Sequence, residues 1–126
     1  MYWVSTVPQP DAVLPEGTAL LNLPTVSENL GVPVTRVHDL LREGALLAVK
    51  IDGKRHVPEV FFTDDLGRIV RSLPGLVAVL RDGGYADDEI LRWLFTEDET
   101  LPGRPAEVLH GHGAREVMRR AQAIAF

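Results

Sequence analysis

The residues best suited to recognition chemistry are basic side chains gathered between positions 33 and 58. That stretch holds Arg36 and Arg42 in a predicted helix, and Lys50, Lys54 and Arg55 around an Asp-Gly pair. Guanidinium and ammonium groups bind phosphate, and a guanidinium also binds a guanine edge through two parallel hydrogen bonds. The chemistry that these residues offer is therefore recognition of a nucleic acid.

Two short predicted helices position the first of these cations. The run Thr25-Val26-Ser27-Glu28 matches a capping box, so the first helix is predicted to begin at Thr25 and to end at Gly31. The second is predicted to begin with Pro33 at its first position and to end at Gly44. Its apolar spacing predicts a buried stripe of Val34, Val37, Leu40 and Leu41. Two helices joined by a tight turn form a helix-turn-helix outline.

With that stripe turned inward, the other side chains of the second helix face outward. The N-terminal part of a helix in the major groove reads base edges. Arg36 suits a guanine edge, whereas Asp39 can only accept a hydrogen bond, for example from cytosine N4. The predicted DNA contacts of this helix are Thr35, Arg36, His38, Asp39 and Arg42. Of these, Arg42 is expected to contact the DNA backbone.

A β-hairpin is predicted after the second helix. Residues 46–51 and 54–57 are β-prone, and the Asp52-Gly53 pair between them favours a type I′ turn, which needs positive φ at both central residues. Pro58 can close the second strand at an edge. This wing is expected to contact flanking phosphates, which fixes register without reading sequence. Its predicted contact residues are Lys50, Lys54, Arg55 and His56.

The predicted fold class is mainly α with a small β-hairpin wing. Prolines indicate a flexible tail over residues 1–19, followed by a winged helix-turn-helix over 20–62. Periodic apolar residues predict a helical C-terminal domain over 63–126, packed on the winged domain. The apolar face of the last helix suits either that packing or a homodimer, and it consists of Val117, Met118, Ala121 and Ile124.

Composition limits the classes of function. The chain has 126 residues, no cysteine, 13 basic and 18 acidic residues, and a net charge of −5. The lack of cysteine excludes disulfide frameworks and Cys-ligated zinc. An acidic balance argues against non-specific coating of nucleic acid, so any DNA contact must be local. The sequence has no signal peptide or membrane span, which favours a cytoplasmic protein that does not bind a membrane.

Catalysis finds little support in the sequence. His110-Gly111-His112 offers two imidazoles, but two loop histidines are the simpler interpretation. Gly83-Gly84 lacks the Lys-Ser/Thr that would follow in a phosphate-binding loop. We therefore expect no enzyme, no metal and no cofactor. The alternative function is a protein-interaction module without DNA binding, because Asp39 and Glu43 lie on the face that would meet a polyanion.

Two sets of motifs resemble known families. Residues 25–37, followed by Leu41-Arg42-Glu43-Gly44-Ala45-Leu46 and His56-Val57-Pro58, resemble the winged helix-turn-helix of excisionases and MerR-type proteins. A wider set, including Val70-Arg71-Ser72-Leu73-Pro74-Gly75-Leu76 and Arg92-Trp93-Leu94-Phe95-Thr96, is similar to an actinobacterial winged-helix DNA-binding family. Members of that family carry a small helical C-terminal domain. The resemblance extends over residues 20–126.

The resemblance implies that the partner is double-stranded DNA, bound through the helix-turn-helix and the wing. It also implies a link to a Ser/Thr protein kinase through the N-terminal tail, since a mycobacterial member has such a link. In this chain Ser5 and Thr6 are the candidate phosphate acceptors of that tail. From the residues and the resemblance together, we expect a DNA-binding transcriptional regulator.

Overall fold

The N-terminal half combines a three-stranded antiparallel sheet with two helices. The computed structural model describes residues 14–126. The strand order is β1-β3-β2, so the last strand of the hairpin lies in the middle. The elements of this half are β1 (Leu20–Asn22), α1 (Leu23–Leu30), α2 (Val34–Glu43), β2 (Val49–Ile51) and β3 (Lys54–Pro58).

Helices form the rest of the described chain. A 3₁₀ turn, Glu59–Phe61, leads out of β3. The helices that follow are α3 (Leu73–Asp82), α4 (Asp87–Leu94), α5 (Pro105–Val108) and α6 (Ala114–Ala125). This arrangement confirms the predicted fold class, a winged helix followed by a helical domain. Within residues 14–126, no helix is long and apolar enough to cross a membrane.

The two halves share one hydrophobic core. Val26 and Val37 of the helix-turn-helix belong to the same buried cluster as Leu76 and other side chains of the later helices. Phe61 and Phe95 bring the halves together, with ring centroids 5.9 Å apart and ring planes tilted by 48°. Such a tilted aromatic pair adds to the stability gained from apolar burial. The helical half therefore forms a fixed neighbour of the winged half.

The first helix begins earlier than its predicted capping box. Asn22 is the N-cap, and its side-chain oxygen accepts a hydrogen bond from the Thr25 N–H at 2.9 Å. Pro24 lies in the first turn, where its missing N–H leaves no donor unsatisfied. The prediction of a start at Thr25 is thus wrong, because the side chain of Asn22, three residues before Thr25, accepts a hydrogen bond from the Thr25 N–H and caps the helix there.

The second helix, α2, departs from its predicted stripe at its first residue. Pro33 is the N-cap, with an extended ψ of 153°, and the helix starts at Val34. Val37 and Leu41 are buried as predicted, whereas Val34 is 41% exposed. The prediction that Val34 is buried is therefore wrong: at the N-terminal end of the helix this side chain extends beyond the core.

The hairpin turn has the predicted geometry. Asp52 and Gly53 both have positive φ, 52° and 79°. Such a turn matches the right-handed twist of the two strands that it joins. The third strand, β1, was not predicted, because three residues are too few to show an alternating pattern. It pairs with β3, with Leu21 opposite Val57.

The packed part of the chain begins before residue 20. Leu14 is buried in the core, and the Ala19 carbonyl accepts a hydrogen bond from the Glu59 N–H at 2.9 Å. Residues 14–19 thus lie against the winged half, although the sequence suggested a tail up to residue 19. Ser5 and Thr6, the candidate phosphate acceptors, lie outside the described residues.

Candidate nucleic-acid interface

Two rows of polar side chains run along the outward face of α2. Side chains three or four residues apart in a helix lie on the same face. One row consists of Thr35, His38 and Arg42, and the other consists of Arg36, Asp39 and Glu43. All are exposed except Asp39, which is half-buried. The helix thus presents its predicted DNA-contacting residues to the surroundings.

Carboxylates of the same helix hold both of its arginines. Arg36 Nη1 lies 3.3 Å from Glu43 Oε2, and Arg42 donates a hydrogen bond to Asp39. Exposed ion pairs of this kind are weak, worth about 0–1 kcal/mol. A polyanion can therefore compete for these guanidinium groups, but it has to displace Glu43 and Asp39 to do so.

The wing holds two like charges directly opposite each other. In the register of β2 and β3, Lys50 faces Arg55. Directly opposed like charges destabilise a β-sheet. Among residues 14–126, neither side chain takes part in an ion pair. Two adjacent cations on the wing are therefore left without an internal counter-charge from the described chain.

The sheet separates the four predicted wing residues into two pairs. Because successive side chains of a strand point to opposite faces, Lys50 and Arg55 share one face, and Lys54 and His56 lie on the other. His56 Nδ1 lies 3.1 Å from the carbonyl oxygen of Lys54. The wing thus presents cations in two directions, and no local pattern indicated that Lys50 and Arg55 would face α2.

A cleft of about 470 Å³ lies between α2, the wing and the helical half. Four of the predicted contact residues line it: His38 and Arg42 from α2, and Lys50 and Arg55 from the wing. Two side chains of the helical half, Arg81 and Asp87, complete its polar lining. The structure therefore brings together these four residues, while the other predicted contacts, Thr35, Arg36, Asp39, Lys54 and His56, lie outside the cleft.

Sequence reasoning missed two residues of this region. Val34 is an exposed apolar side chain at the first position of α2, beside Thr35 and Arg36. Apolar side chains in the major groove contact the thymine methyl group, so this position offers that chemistry. Arg81 was also missed, because it lies 39 positions from Arg42, the residue whose carbonyl it contacts. Val34 was missed because its spacing fits the predicted buried stripe, and no local motif indicated Arg81.

Two of the three basic side chains of α6, those of Arg119 and Arg120, are in ion pairs. Arg119 Nη2 lies 2.6 Å from Glu116, and Arg120 lies 2.8 Å from both Glu116 and Asp98. Hydrogen bonds donated by Arg119, and to a lesser extent by Arg120, lower the pKa of the Glu116 carboxyl to about 2. These pairs join α6 to the loop that contains Asp98, so they carry out a structural task within the helical half.

His110, one of the two histidines that the sequence places in a loop, lies against a backbone carbonyl. His110 Nε2 lies 2.5 Å from the carbonyl oxygen of Val60. A nitrogen facing a carbonyl must carry the proton and donate it, which ties the segment after α5 to the 3₁₀ turn. In residues 14–126, no group of three or more His, Asp or Glu side chains is arranged to hold a metal ion.

Comparison with known proteins gives consistent matches over both halves. The family model described as "DNA-binding protein Rv2175c, wHTH domain" matches residues 6–62, and "Rv2175c C-terminal domain of unknown function" matches residues 70–125. Neither description is that of an enzyme, as the sequence led us to expect.

A relative and a solved structure extend these matches. The DNA-binding protein Rv2175c of Mycobacterium tuberculosis (strain ATCC 25618 / H37Rv) is 48% identical, over 98% of this chain and 92% of the relative. The NMR structure of Rv2175c has a TM-score of 0.84 and 48% identity, covering 95% of this chain and 90% of that one. With its winged helix-turn-helix and helical C-terminal domain, the chain belongs to the Rv2175c family of winged-helix proteins.

Proposed function

We propose that this protein binds double-stranded DNA, with α2 in the major groove and Lys50 and Arg55 of the wing on flanking phosphates. The opposed Lys50–Arg55 pair is the observation that carries the proposal. A like-charged pair in direct register destabilises the sheet that holds it. A phosphate bound between the two cations would offset that repulsion, and the relative is named a DNA-binding protein.

The remaining roles follow from position on α2 and the wing. Thr35, Arg36 and Val34 lie in the first turn, the part of a recognition helix that reads base edges. His38 and Asp39 lie one turn further on. Arg42 lies in the last turn, where it suits a contact with the DNA backbone. Lys54 and His56 face away from the cleft and suit a second phosphate. The DNA-binding unit is residues 20–62, with the helical unit over 63–126.

The salt dependence of DNA affinity tests the proposal. Fluorescence anisotropy with a labelled mixed-sequence duplex would be measured at about 50 mM and about 200 mM salt. Four phosphate contacts are expected to lower the affinity about 100-fold across that range, because each contributes about −0.9 to the log–log slope. A protein that shows no binding at the lower salt concentration, or binding that is insensitive to salt, would contradict the proposal.

A protein-interaction module is the second candidate, and Asp39 and Glu43 favour it. Both carboxylates lie on the exposed face of α2, where they repel a polyanion and can attract a basic protein surface. Asp39→Asn with Glu43→Gln separates the two candidates. Weaker capture of a basic protein partner would support this module, whereas tighter DNA binding would support the main proposal.

We also propose that DNA binding serves transcriptional regulation and that a Ser/Thr protein kinase modifies the N-terminal tail. The tail offers Ser5 and Thr6 as acceptors, outside the described residues. Mass spectrometry after incubation with such a kinase and MgATP is expected to locate phosphate on one of them. Unchanged phosphate incorporation in the Ser5→Ala, Thr6→Ala variant would exclude both positions.

A homodimer through the end of α6 remains a proposal. Val117 and Ala121 are buried within the chain, so that part of the apolar stripe is already used for packing. Ile124 and Phe126 are 43% and 87% exposed at the end of the chain. Analytical ultracentrifugation would give a dimer that Ile124→Ser weakens. A monomer at all concentrations would contradict the proposal.

A further inference from the structure

Arg81 brings the helical half into the basic cleft. It lies in the last turn of α3, and its Nη1 donates a hydrogen bond to the carbonyl of Arg42 at 3.3 Å. The same group passes close to Gly44, where a Cβ atom would lie 2.7 Å from Nη1. Gly44 also has a φ of 85°, so both its conformation and the close approach of Arg81 favour glycine. The end of α2 is thus shaped to accept this guanidinium.

The other side of the Arg81 guanidinium is fixed by Asp87. Nε and Nη2 donate to the two carboxylate oxygens at 2.9 and 2.8 Å. A guanidinium has five N–H donors, and these three hydrogen bonds use three of them. Its side chain remains 30% exposed. Arg81 therefore lies in a defined orientation with donors left for a ligand in the cleft.

The charge of the cleft favours an anion. Its lining contains three arginines and a lysine, supplied by α2, the wing and α3, together with His38. Asp87 is the single carboxylate among the lining residues. Cations that come from separate elements and converge on one concave surface focus a positive potential there. A phosphate group has the charge and the acceptor oxygens to match several guanidinium donors at once.

We propose that this cleft binds a phosphate of the DNA backbone and that Arg81 contacts it directly. The inference rests on the proposed DNA binding and adds a DNA contact supplied by the helical half. Arg42, Lys50 and Arg55 hold the phosphate from the winged half, and Arg81 holds it from the other side. A contact of this kind fixes the register of the protein on the duplex and reads no bases.

The Arg81→Ala variant tests the contact, with Arg115→Ala as its control. Arg115 is also an exposed arginine of the helical half, but it lies near the start of α6, whereas the end of α6 approaches Gly83 beside Arg81. Loss of one phosphate contact is expected to reduce the salt slope by about 0.9 and the affinity about eightfold at about 0.1 M salt. The decrease should be the same for all duplex sequences, and Arg115→Ala should leave the slope unchanged.

The Asp87→Asn variant separates a phosphate contact from a structural role for Arg81. If Arg81 binds phosphate, removing the competing carboxylate raises DNA affinity about twofold. If Arg81 only supports α2, the same change loosens its guanidinium and lowers the affinity. Circular dichroism would identify folded variants before binding is measured. If Arg81→Ala is misfolded, the direction of the change in DNA affinity caused by Asp87→Asn decides between the two roles.

The outcomes distinguish this inference from the function on which it rests. No salt-dependent DNA binding by the unmodified protein would overturn the proposed function. Binding by that protein with an equal slope for Arg81→Ala and Arg115→Ala would overturn the Arg81 contact alone. Inorganic phosphate could also raise the melting temperature of the protein. If Arg81→Ala abolished that rise but left the salt slope of DNA binding unchanged, the Arg81 contact with DNA would be overturned and the cleft would be assigned to free phosphate.

Discussion

The wing and the last helix each carry three basic residues, but they use them differently. In the wing these are Lys50, Lys54 and Arg55, and within the described chain none of them is in an ion pair. In α6 they are Arg115, Arg119 and Arg120. Arg119 and Arg120 both bind Glu116, and Arg120 also binds Asp98. Two of the three basic residues of α6 thus stabilise the helical half, whereas all three of the wing keep their charge available.

This difference explains why the net charge of −5 says little about the interface. Glu116 and Asp98 neutralise arginines of the helical half, within a few ångströms of them. Surface charges are screened over about 8–10 Å at ordinary ionic strength. Acidic residues elsewhere therefore reduce the positive potential of the wing only slightly. A polyanion responds to the local arrangement of charges.

The largest effect should come from removing two basic charges from the wing, compared with removing two from α6 in a matched double variant. Lys50→Ala with Arg55→Ala is expected to lower DNA affinity roughly 60-fold at about 0.1 M salt, because two phosphate contacts are lost. It should leave the melting temperature unchanged or slightly raised, since the like-charged pair is removed. Anisotropy and thermal denaturation measure the two quantities.

Arg119→Ala with Arg120→Ala removes the same charge and serves as the control. It is expected to lower the melting temperature, because the pairs with Glu116 and Asp98 are lost, and to leave the DNA salt slope unchanged. Equal losses of DNA affinity in the two double variants would show that overall charge, and not the local arrangement, controls binding. In that case the comparison between wing and α6 would fail.

A smaller effect should distinguish the proposed role of α2 from that of the wing. Lys54→Ala is expected to weaken binding to all sequences about equally and to reduce the salt slope by about one. Arg36→Ala should instead relax the choice of sequence, because its guanidinium is predicted to read a base edge. Anisotropy with a panel of duplexes would compare them. Identical effects of the two substitutions on every duplex would disprove this division of roles.

A modest gain is expected when a carboxylate is removed from α2. Glu43→Gln releases Arg36 from its exposed ion pair, which is worth roughly 0.5 kcal/mol, so DNA affinity should rise about two- to threefold. Glu97→Gln, in the loop after α4, changes the charge equally and serves as the control. A rise of the same size in both variants would mean that Glu43 acts only through the total charge.

The smallest effect is the acid sensitivity of α6. Because hydrogen bonds from Arg119 and Arg120 lower the pKa of Glu116 from 4.5 to about 2, its stabilising contribution is present above pH 4.5 and is lost as the pH falls towards 2. Thermal denaturation from pH 6 downwards should show Glu116→Gln melting lower than the unmodified protein at pH 6. The gap should close towards pH 2, and a constant gap would contradict this account.

Local sequence signals predicted the elements that local forces control. Gly31 and Gly44 end α1 and α2 in the left-handed conformation, as their positions suggested. The Asp52-Gly53 turn also follows from its own backbone preferences. Boundaries that depend on a neighbour were less predictable. Strand β1 exists through its pairing with β3, and this pairing leaves Asn22 at the start of α1, where its side chain caps the helix.

By itself, the sequence determined the helix-turn-helix, the wing and the positions of its cations, since these depend on residues close together in the chain. Tertiary structure decided which of those cations meet. The shared core places the end of α3 beside the end of α2, so Arg81 reaches the carbonyl of Arg42 across 39 positions of sequence. Packing and sheet register also direct Lys50 and Arg55 into one cleft and Lys54 away from it. Such placements arise from the burial of apolar surface, a non-directional force whose outcome depends on the whole chain.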